Sequence, residues 1–362
     1  MSLASPWAQA SAEMLARLGH EIHAIDFDEV KGSYFNTTQE DIARIRKNVA
    51  GVHLLSGFPP SNLRYFQAVP QFRSVLRKIR PDVLLTLYAG GFAQLAWFSR
   101  FRPYAVFAVG SDVLLVSGIR RAISRWTLKG AAEVFANGDY LAQKTREIAP
   151  RAKVTSLLLG VDTERFSPAP RGDGPLQLIC NRGFKDLYNN ESIIHALAAL
   201  KVVPPFQFHF TSPGPTLPRA RELAARILPP HIRERVFFWG GVSTEKMLEL
   251  LRSSQIFVSM SRSDGTATSL LEALSCGLFP ILSDIPQNCS WINDSVKNGF
   301  LAPLDDIQVL AMKIHDAIFD PAIIESARAF NRAVAVKKAD SRLNLQRLAD
   351  SLKAIATPAP PP

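Results

Sequence analysis

The stretch SMSRSDGTATSLLEALSCG at Ser259–Gly277, continued by LFPILSD to Asp284, decides the fold that the sequence predicts. Apolar runs stand on both sides of it, and between them a short polar loop leads into a segment with leucines at helical spacing. A glycine at the end of that segment is typical of a helix C-terminus. The stretch therefore predicts a strand, a loop, a helix and a second strand, the repeating unit of a parallel α/β sheet.

Two acids frame the start of the predicted helix. Asp264 lies in the loop, and Glu272 follows about two helical turns later. Thr266, Thr268 and Ser269 are candidate caps for this helix, whose first N–H groups and positive dipole end form an anion site. Acids on both sides of an anion site suit a sugar nucleotide, because its diphosphate accepts hydrogen bonds and its hydroxyls donate them. From these residues alone, an ordinary βα unit with two solvated acids is an equal alternative.

The rest of the chain alternates strands with helices, which predicts two doubly wound parallel-sheet domains facing each other across a cleft. Prolines and glycines between Asp162 and Gly174 set the boundary. The predicted parts are a first domain over 1–168, a second over 169–335, a helix over 336–356 that packs back towards the first domain, and a disordered tail over 357–362. The helix over 336–356 is the end of a long basic helix, Ala322–Ala356.

Positive charge is concentrated in one region. The chain carries a net charge of +10, and residues 60–130 hold eleven basic residues against Asp82 and Asp112. Such a surface suits an anionic membrane, a polyanionic acceptor or nucleic acid, or it is a solvated face without a partner. No motif of a nucleic-acid-binding module accompanies it, so nucleic acid is not an expected partner.

Several classes of protein are not indicated. The three cysteines have no zinc spacing and no metal site is expected, the N-terminus does not resemble a secretory signal, and no apolar run is long enough to span a bilayer. The sequence contains no GxGxxG fingerprint and no Walker A motif, which argues against a dinucleotide oxidoreductase and a P-loop enzyme. The cytoplasm, including the inner face of the membrane, is the expected location.

The motifs resemble those of glycosyltransferase family 4, the retaining enzymes with the two-domain GT-B fold. The C-terminal half carries the resemblance in Val258–Asp284 and in NGFLAPLD at Asn298–Asp305. In the N-terminal half, YAGG from Tyr88, GSDV from Gly110 and GVD from Gly160 stand in the family's order. The resemblance implies transfer of a sugar from a nucleotide-sugar donor to a saccharide or lipid-linked acceptor, without a cofactor or metal, in surface polysaccharide biosynthesis.

The resemblance also assigns residues. Asp264 corresponds to an acid that contacts the donor sugar, Glu272 to the residue that binds the nucleotide ribose, and Arg182 to the arginine that neutralises the leaving diphosphate. The segment Gly265, Thr266, Ala267 and Thr268 would hold the sugar and diphosphate through its amides. Lys185 is a second candidate cation with unusual spacing. Asp112, at a strand end, is the candidate in the first domain for acceptor or sugar contact, with a turn or helix cap as its alternative role.

The chain departs from the family in its first half. Leu85 and Leu87 stand where many relatives have histidines, and Val109 stands where relatives carry histidine or tryptophan. The first strand, expected before the helix Trp7–Leu18, is missing or vestigial. The alternative function is therefore a non-catalytic sugar-nucleotide-binding or scaffold protein with a degenerate first domain. A sugar-nucleotide epimerase of the same fold is weaker, because its N-domain acids and histidines are not found.

Overall fold

The chain forms two compact units in the computed structural model, which describes residues 5–27, 43, 46–59, 61, 63–170, 172, 174–201 and 203–356. Unit 1 comprises residues 1–159 and 342–362, and unit 2 comprises residues 160–341. The boundary lies nearer the N-terminus than the predicted 168. Within the described ranges, no helix is long and apolar enough to cross a membrane.

Unit 2 is built on one parallel six-stranded sheet. Its strands are β7 (Leu176–Cys180), β8 (Phe206–Phe210), β9 (Val236–Phe238), β10 (Ile256–Ser259), β11 (Phe279–Ser283) and β12 (Phe300–Ala302). They lie in the order β9-β8-β7-β10-β11-β12. Between them run the helices Asn190–Ala199, Leu217–Ile227, Pro230–Arg233, Thr244–Ser253, Thr268–Ser275 and Pro286–Cys289, followed by Ile307–Phe319 and Pro321–Ala339. Strand β12 was not predicted.

The central strands of unit 2 are hydrophobic along their whole length because helices cover the sheet. All residues of β10 and β11 are buried, as expected for parallel strands. The predicted C-terminal glycine of the helix Thr268–Ser275 is confirmed. Gly277 has φ +75°, its N–H donates to Leu274, and the next N–H donates to Ala273, which is a Schellman ending.

The described residues of unit 1 form two separate parallel sheets. Strands β1 (His23–Phe27) and β2 (Gly51–Leu55) form one, and β3 (Leu84–Leu87), β4 (Tyr104–Ala108), β5 (Glu133–Ala136) and β6 (Val154–Ser156) form the other in that order. The helices are Pro6–Arg17, Arg64–Gln67, Val69–Ile79, Gly91–Ser99, Ser111–Leu114, Gly118–Lys129, Asp139–Ile148 and Ser341–Ala356, the last lying in unit 1 from Arg342.

Two predicted helices differ in the structure. The long helix predicted over Ala322–Ala356 is wrong, because Asp340 is extended and interrupts it. Asp340 bridges to Val161 and accepts a hydrogen bond from Thr163, a long-range contact that overrides local helix propensity. The sequence also predicts one helix over Phe66–Ile79, which the structure divides at Ala68 into Arg64–Gln67 and Val69–Ile79.

The C-terminal helix packs within unit 1. Leu345, Leu348 and Leu352 belong to a buried cluster with Leu15 and Phe107. The prediction of a missing or vestigial first strand concerns residues 1–5, of which 1–4 lie outside the described residues, as does the predicted tail 357–362. No strand precedes Pro6–Arg17 in the part of the chain that the structure describes.

Candidate functional site

The predicted donor residues of unit 2 lie at the point where its strand order changes direction. Strands β7 and β10 pair directly, with Ile256 opposite Leu178. The strands that follow β7 are added on one side and those that follow β10 on the other. Arg182 follows the end of β7 and Asp264 follows the end of β10. This edge of an open α/β sheet is the usual place of a ligand site.

Arg182 is a buried cation, only 8% exposed. Its guanidinium pairs with Asp264, donates to Ser269 Oγ at 2.9 Å, and lies 4.1 Å from the centroid of the Tyr188 ring. The Nε atom is buried and makes no hydrogen bond. A buried arginine fixed by three side chains and left with an unused donor is a preorganised site for an anion.

Hydrogen bonds to its backbone and to the residues before it fix the loop that carries Asp264. Its carbonyl oxygen accepts from Gln287 Nε2 at 2.7 Å, and the preceding Arg262 N–H donates to the carbonyl of Leu187. Ser283 donates to the carbonyl of Ser261 at 2.6 Å. Burial raises the pKa of the Asp264 carboxyl, while Arg182 and the Gly265 amide act against that shift.

Glu272 is linked to the same strand end through Asn181. The amide Nδ2 of Asn181 donates to Glu272 Oε2 at 3.0 Å. Burial raises the pKa of Glu272 to about 7, although Asn181 and Arg182 lower it. The Oδ1 atom of Asn181 is buried without a hydrogen bond. Glu272 therefore changes its charge near neutral pH.

The start of the helix Thr268–Ser275 differs from the prediction of a hydroxyl cap. The capping position is Ala267, which makes no side-chain hydrogen bond. Of the three predicted hydroxyls, Ser269 accepts from Arg182 instead. Gly265 and Thr266 complete the loop between Asp264 and this helix. The helix start and the buried arginine are thereby joined by a direct hydrogen bond.

The remaining predicted site residues are Lys185 and Asp112. Lys185 stands in the turn after β7, and burial lowers the pKa of its ammonium group. Asp112 lies in unit 1. Its carboxylate accepts from the backbone N–H groups of Ala89, Val109 and Gly110, and burial raises its pKa. These bonds fit the alternative role as a cap that ties two loops together.

Three residues that contact this group, Asn181, Tyr188 and Gln287, were not predicted as site residues. The position of Asn181 directly after a buried strand was a usable signal, because the carboxyl ends of parallel strands meet at ligand sites. The sequence around Tyr188 and Gln287 contains no comparable signal. Among the residues that the structure describes, no three His, Cys, Asp or Glu side chains are grouped so as to hold a metal ion. What the group presents is a fixed cation, a helix start and two carboxyls that accept hydrogen bonds.

Two family models match the chain in tandem. The model for Glycosyltransferase Family 4 matches residues 8–165, and the model for Glycosyl transferases group 1 matches residues 161–335. A curated relative, the GDP-mannose:cellobiosyl-diphosphopolyprenol alpha-mannosyltransferase of Xanthomonas campestris, is 25% identical over 55% of this chain and 54% of its own. The chain spans about half the length of the curated relatives it matches.

Solved glycosyltransferase structures share the fold. A glycosyltransferase from Rickettsia africae is 16% identical with a TM-score of 0.79, over 98% of this chain and 96% of that one. Anabaena HepE, solved with UDP and glucose, is 15% identical with a TM-score of 0.77 over 96% of each chain. The predicted GT-B fold class is confirmed, as two α/β domains with parallel sheets.

Proposed function

The chain belongs to the glycosyltransferases that these two models describe, and from that premise we propose that it transfers a sugar from a nucleotide-sugar donor to a saccharide or lipid-linked acceptor. The observation that carries the proposal is Arg182, a buried cation joined to both Asp264 and Ser269. A substrate whose bond cleavage leaves a diphosphate uses such a fixed cation directly. The curated relative transfers mannose to a diphosphopolyprenol-linked saccharide by its name, which supports an acceptor of that class and a role in surface polysaccharide biosynthesis.

The donor binds to unit 2 in this proposal. Arg182 and the amides of the loop from Gly265 to Thr268 bind the diphosphate, and Lys185 adds positive charge. Glu272 accepts hydrogen bonds from the ribose hydroxyls in its ionised form. Asp264 accepts from hydroxyls of the donor sugar, and Arg182 opposes the rise in the pKa of that carboxyl that burial causes.

The transfer proceeds with retention of configuration. The acceptor hydroxyl oxygen forms a bond to the anomeric carbon from the face that the diphosphate leaves. The bond from that carbon to the diphosphate oxygen breaks, and the leaving phosphate takes the hydroxyl proton. Arg182 stabilises the charge that develops on the diphosphate. No metal is assigned to this step, and undiminished transfer in EDTA is the expected result.

A panel of nucleotide sugars tests the donor assignment. The cognate donor should raise the melting temperature, because a ligand that binds the folded state stabilises it. Asp264→Ala should reduce transfer far more than nucleotide binding, and the product's anomeric configuration, read by NMR, should match that of the donor. Stabilisation by no nucleotide sugar in the panel would contradict the donor site, and an inverted product would contradict retention.

One observation favours a second candidate, a sugar-nucleotide-binding protein without transfer. Asp112, the candidate of unit 1, uses its carboxylate oxygens on three backbone amides. A protein that binds the donor tightly through Arg182 and Glu272, yet transfers no sugar to any lipid-linked saccharide offered, would be a binding protein of this kind. Transfer by the wild type excludes it.

The basic region suits the inner face of an anionic membrane. On the helix Gly118–Lys129, Ile119 is 80% exposed and Trp126 is 64% exposed, and the arginines Arg120, Arg121 and Arg125 are exposed with them. Exposed apolar residues among arginines are typical of a helix that lies on a lipid surface. Co-sedimentation with vesicles containing anionic lipid should fall for Trp126→Ser and fall further with added salt. Equal sedimentation with neutral vesicles would contradict this surface.

A further inference from the structure

Unit 1 contains a cation, Arg64, that aromatic side chains hold in place. Its guanidinium carbon lies 4.4 Å from the centroid of the Phe27 ring and 5.1 Å from that of the Tyr65 ring. One of its nitrogens donates to the Tyr65 hydroxyl at 3.2 Å. Within the described ranges no carboxylate forms an ion pair with it. A guanidinium is a fork of several N–H donors, so most donors of Arg64 are available to an anion.

The rings that hold Arg64 are themselves packed together. Phe27, Tyr65 and Phe92 form a trio whose centroids lie 5.4, 5.8 and 5.5 Å apart. The Tyr65 ring also presses against the backbone at Gly91, where a Cβ atom would lie 2.2 Å from ring carbons. Aromatic side chains in mutual contact have few alternative positions. The cation therefore rests on a rigid support and does not move freely on a long side chain.

This group lies where ligands bind in open α/β sheets, at the carboxyl ends of the strands. Phe27 is the last residue of β1, and Arg64 begins the helix that follows β2. Tyr88 directly follows β3, and its hydroxyl oxygen lies 2.9 Å from that of Ser111, which follows β4. The same edge of unit 1 thus carries a fixed cation and a pair of hydroxyl groups.

Two apolar side chains beside Arg64 face the solvent. Leu63 is 67% exposed and Phe66 is 62% exposed, and the Phe66 ring contacts Phe98 edge to face at 5.3 Å. Leu63 directly precedes the arginine and Phe66 follows it by two residues. Exposed apolar residues that adjoin a cation match a ligand with an anionic group joined to a hydrocarbon chain.

We propose that Arg64 and Tyr65 bind a phosphate group of an acceptor whose saccharide is joined to a lipid by a diphosphate, and that Leu63 and Phe66 contact the beginning of its lipid chain. The inference rests on the proposed transfer, and it selects a lipid-linked acceptor over a free saccharide. A guanidinium and a phenol both donate to phosphate oxygens, and the planar fork of arginine suits them particularly well.

The charges at this edge favour a phosphate of the acceptor over other anions. The carboxylates of Asp26 and Asp112 are buried and accept from backbone N–H groups. A carboxylate of a free acidic saccharide would use Arg64 but would leave Leu63 and Phe66 in water. A phospholipid of the surrounding bilayer has the right chemistry, but nothing requires it at the ligand edge of the sheet, whereas the acceptor of a transfer must reach that edge.

Calorimetry with farnesyl diphosphate, inorganic diphosphate and farnesol tests the proposal. The wild type should bind farnesyl diphosphate at least about tenfold more tightly than either of the other two, because only that probe has both parts. Arg64→Gln should weaken its binding by about tenfold or more, as expected when a charged hydrogen-bond partner is lost. In the transfer assay the same substitution should raise KM for the lipid-linked acceptor and leave KM for the donor unchanged.

Two other arginines provide matched controls. Arg102 lies 4.6 Å from the centroid of the Tyr104 ring but precedes β4, at the opposite edge of the sheet. Arg102→Gln removes the same charge and should leave the affinity for farnesyl diphosphate unchanged. Arg182→Gln should also keep that affinity while losing the stabilisation by the donor, which Arg64→Gln should keep. Failure of this site and failure of the donor site are thereby distinguished.

Several results would overturn the proposal. These are no binding of farnesyl diphosphate by the wild type, equal affinity in Arg64→Gln, an equal loss in Arg102→Gln, and farnesol or inorganic diphosphate binding as tightly as farnesyl diphosphate. Competition by phosphatidylglycerol vesicles as strong as that by unlabelled farnesyl diphosphate would assign Arg64 to bulk phospholipid instead. Should Arg64→Gln fail to fold, Leu63→Ser changes only an exposed side chain. It should weaken farnesyl diphosphate and not inorganic diphosphate, and equal affinities for farnesyl diphosphate in this variant and the wild type would contradict the lipid contact.

Discussion

The two units of this protein arrange their parallel strands differently, as one six-stranded sheet in unit 2 and as a two-stranded and a four-stranded sheet in the described part of unit 1. In unit 2 the central strand β7 lies between β8 and β10, and its residues Leu178 and Ile179 are fully buried. In unit 1 a cavity of about 430 Å³ is lined by residues of both β1 and β3, and β3 has mostly half-buried residues although its neighbour β4 is buried throughout. The difference shows how much of a parallel sheet depends on its central strand.

The donor-site candidates lie in the unit whose centre is filled. Arg182 and Asn181 follow β7, and Asp264 follows the adjacent β10. Without β7 neither the cation nor the partner of Glu272 would have a fixed position. The donor-site candidates therefore depend on the central strand of the six-stranded sheet.

The largest expected effect comes from removing the cation after β7. Arg182→Ala should lower the rate of transfer by about 10³-fold, the scale of losing a fixed donor at a developing negative charge. It also leaves the buried Asp264 without its partner. Transfer is measured with saturating donor, and Arg182→Lys, which keeps the charge, is the control expected to retain part of the rate. Equal rates for the alanine variant and the wild type would contradict a role in transfer for Arg182, the cation that follows β7.

A matched pair of leucine truncations compares the two sheets directly. Leu178→Ala in β7 should lower the free energy of unfolding of unit 2 by about 3 kcal/mol, because it opens a cavity in a packed core. Leu85→Ala in β3 should cost at least about 1 kcal/mol less in unit 1, because Leu85 already borders a cavity. Hydrogen exchange in increasing urea reports each unit separately. Equal losses would mean that β3 is as well packed as β7.

The pH dependence of nucleotide binding tests the proposed ribose-binding role of Glu272, the carboxyl that accepts a hydrogen bond from Asn181. The pKa of Glu272 is about 7, and ribose hydroxyls need the ionised form as acceptor. Affinity should therefore be full above pH 7 and fall as the pH drops through 7, approaching about tenfold per unit. Glu272→Ala should weaken binding by about 1–3 kcal/mol at pH 8.

Calorimetry between pH 6 and 8 makes this measurement, and Glu272→Gln is the control that should show no such dependence. The same substitution should stabilise the unliganded protein more at pH 8 than at pH 5. Burial raises the pKa of Glu272 above its ordinary 4.5, so its ionised form costs stability as the pH rises through 7. A wild-type affinity that is constant with pH would contradict the ribose role.

The smallest expected losses of stability come from adding one methyl group to a glycine that ends a helix in each unit. Gly19 and Gly277 both end helices in the left-handed region, at φ +86° and +75°. A Cβ at Gly277 would lie 2.8 Å from Arg328 Cγ, whereas nothing lies within 4 Å at Gly19. Gly19→Ala should cost about 1 kcal/mol through its backbone conformation alone, and Gly277→Ala should cost more. Thermal unfolding checks both, and a larger loss at Gly19 would contradict the packing around Gly277.

Much of the fold follows from the sequence because local patterns and tertiary structure agree. The strands that the sequence predicts at Glu133–Ala136, Leu176–Cys180 and Phe206–Phe210 are β5, β7 and β8 of the structure, and most of their residues are buried. The C-terminus of the helix Thr268–Ser275 was predictable because a glycine, Gly277, follows it. The break at Asp340 did not, because its cause is a contact with Val161, far away in sequence.

The sequence predicted which residues lie at the site but not the hydrogen bonds between them. Asp264, Glu272 and Arg182 stand at strand ends and a helix start, which sequence periodicity locates. That Arg182 bonds Ser269, and that Ala267 occupies the cap, depends on side-chain geometry within the fold. Asp112 illustrates the same limit. The sequence does not distinguish an acid at a strand end that contacts a substrate from one that accepts hydrogen bonds from backbone amides.

The last helix has a consequence for how the chain is made. Leu345 and Leu348 pack with Leu15 and Phe107 in one buried cluster of unit 1, while the whole of unit 2 lies between them in sequence. Domains fold during synthesis as their residues emerge from the ribosome. Unit 2 is then complete once Ser341 has emerged, while unit 1, although synthesised first, must wait for the end of the chain. Loss of the residues from Arg342 onward would therefore remove part of the core of the unit that was translated first.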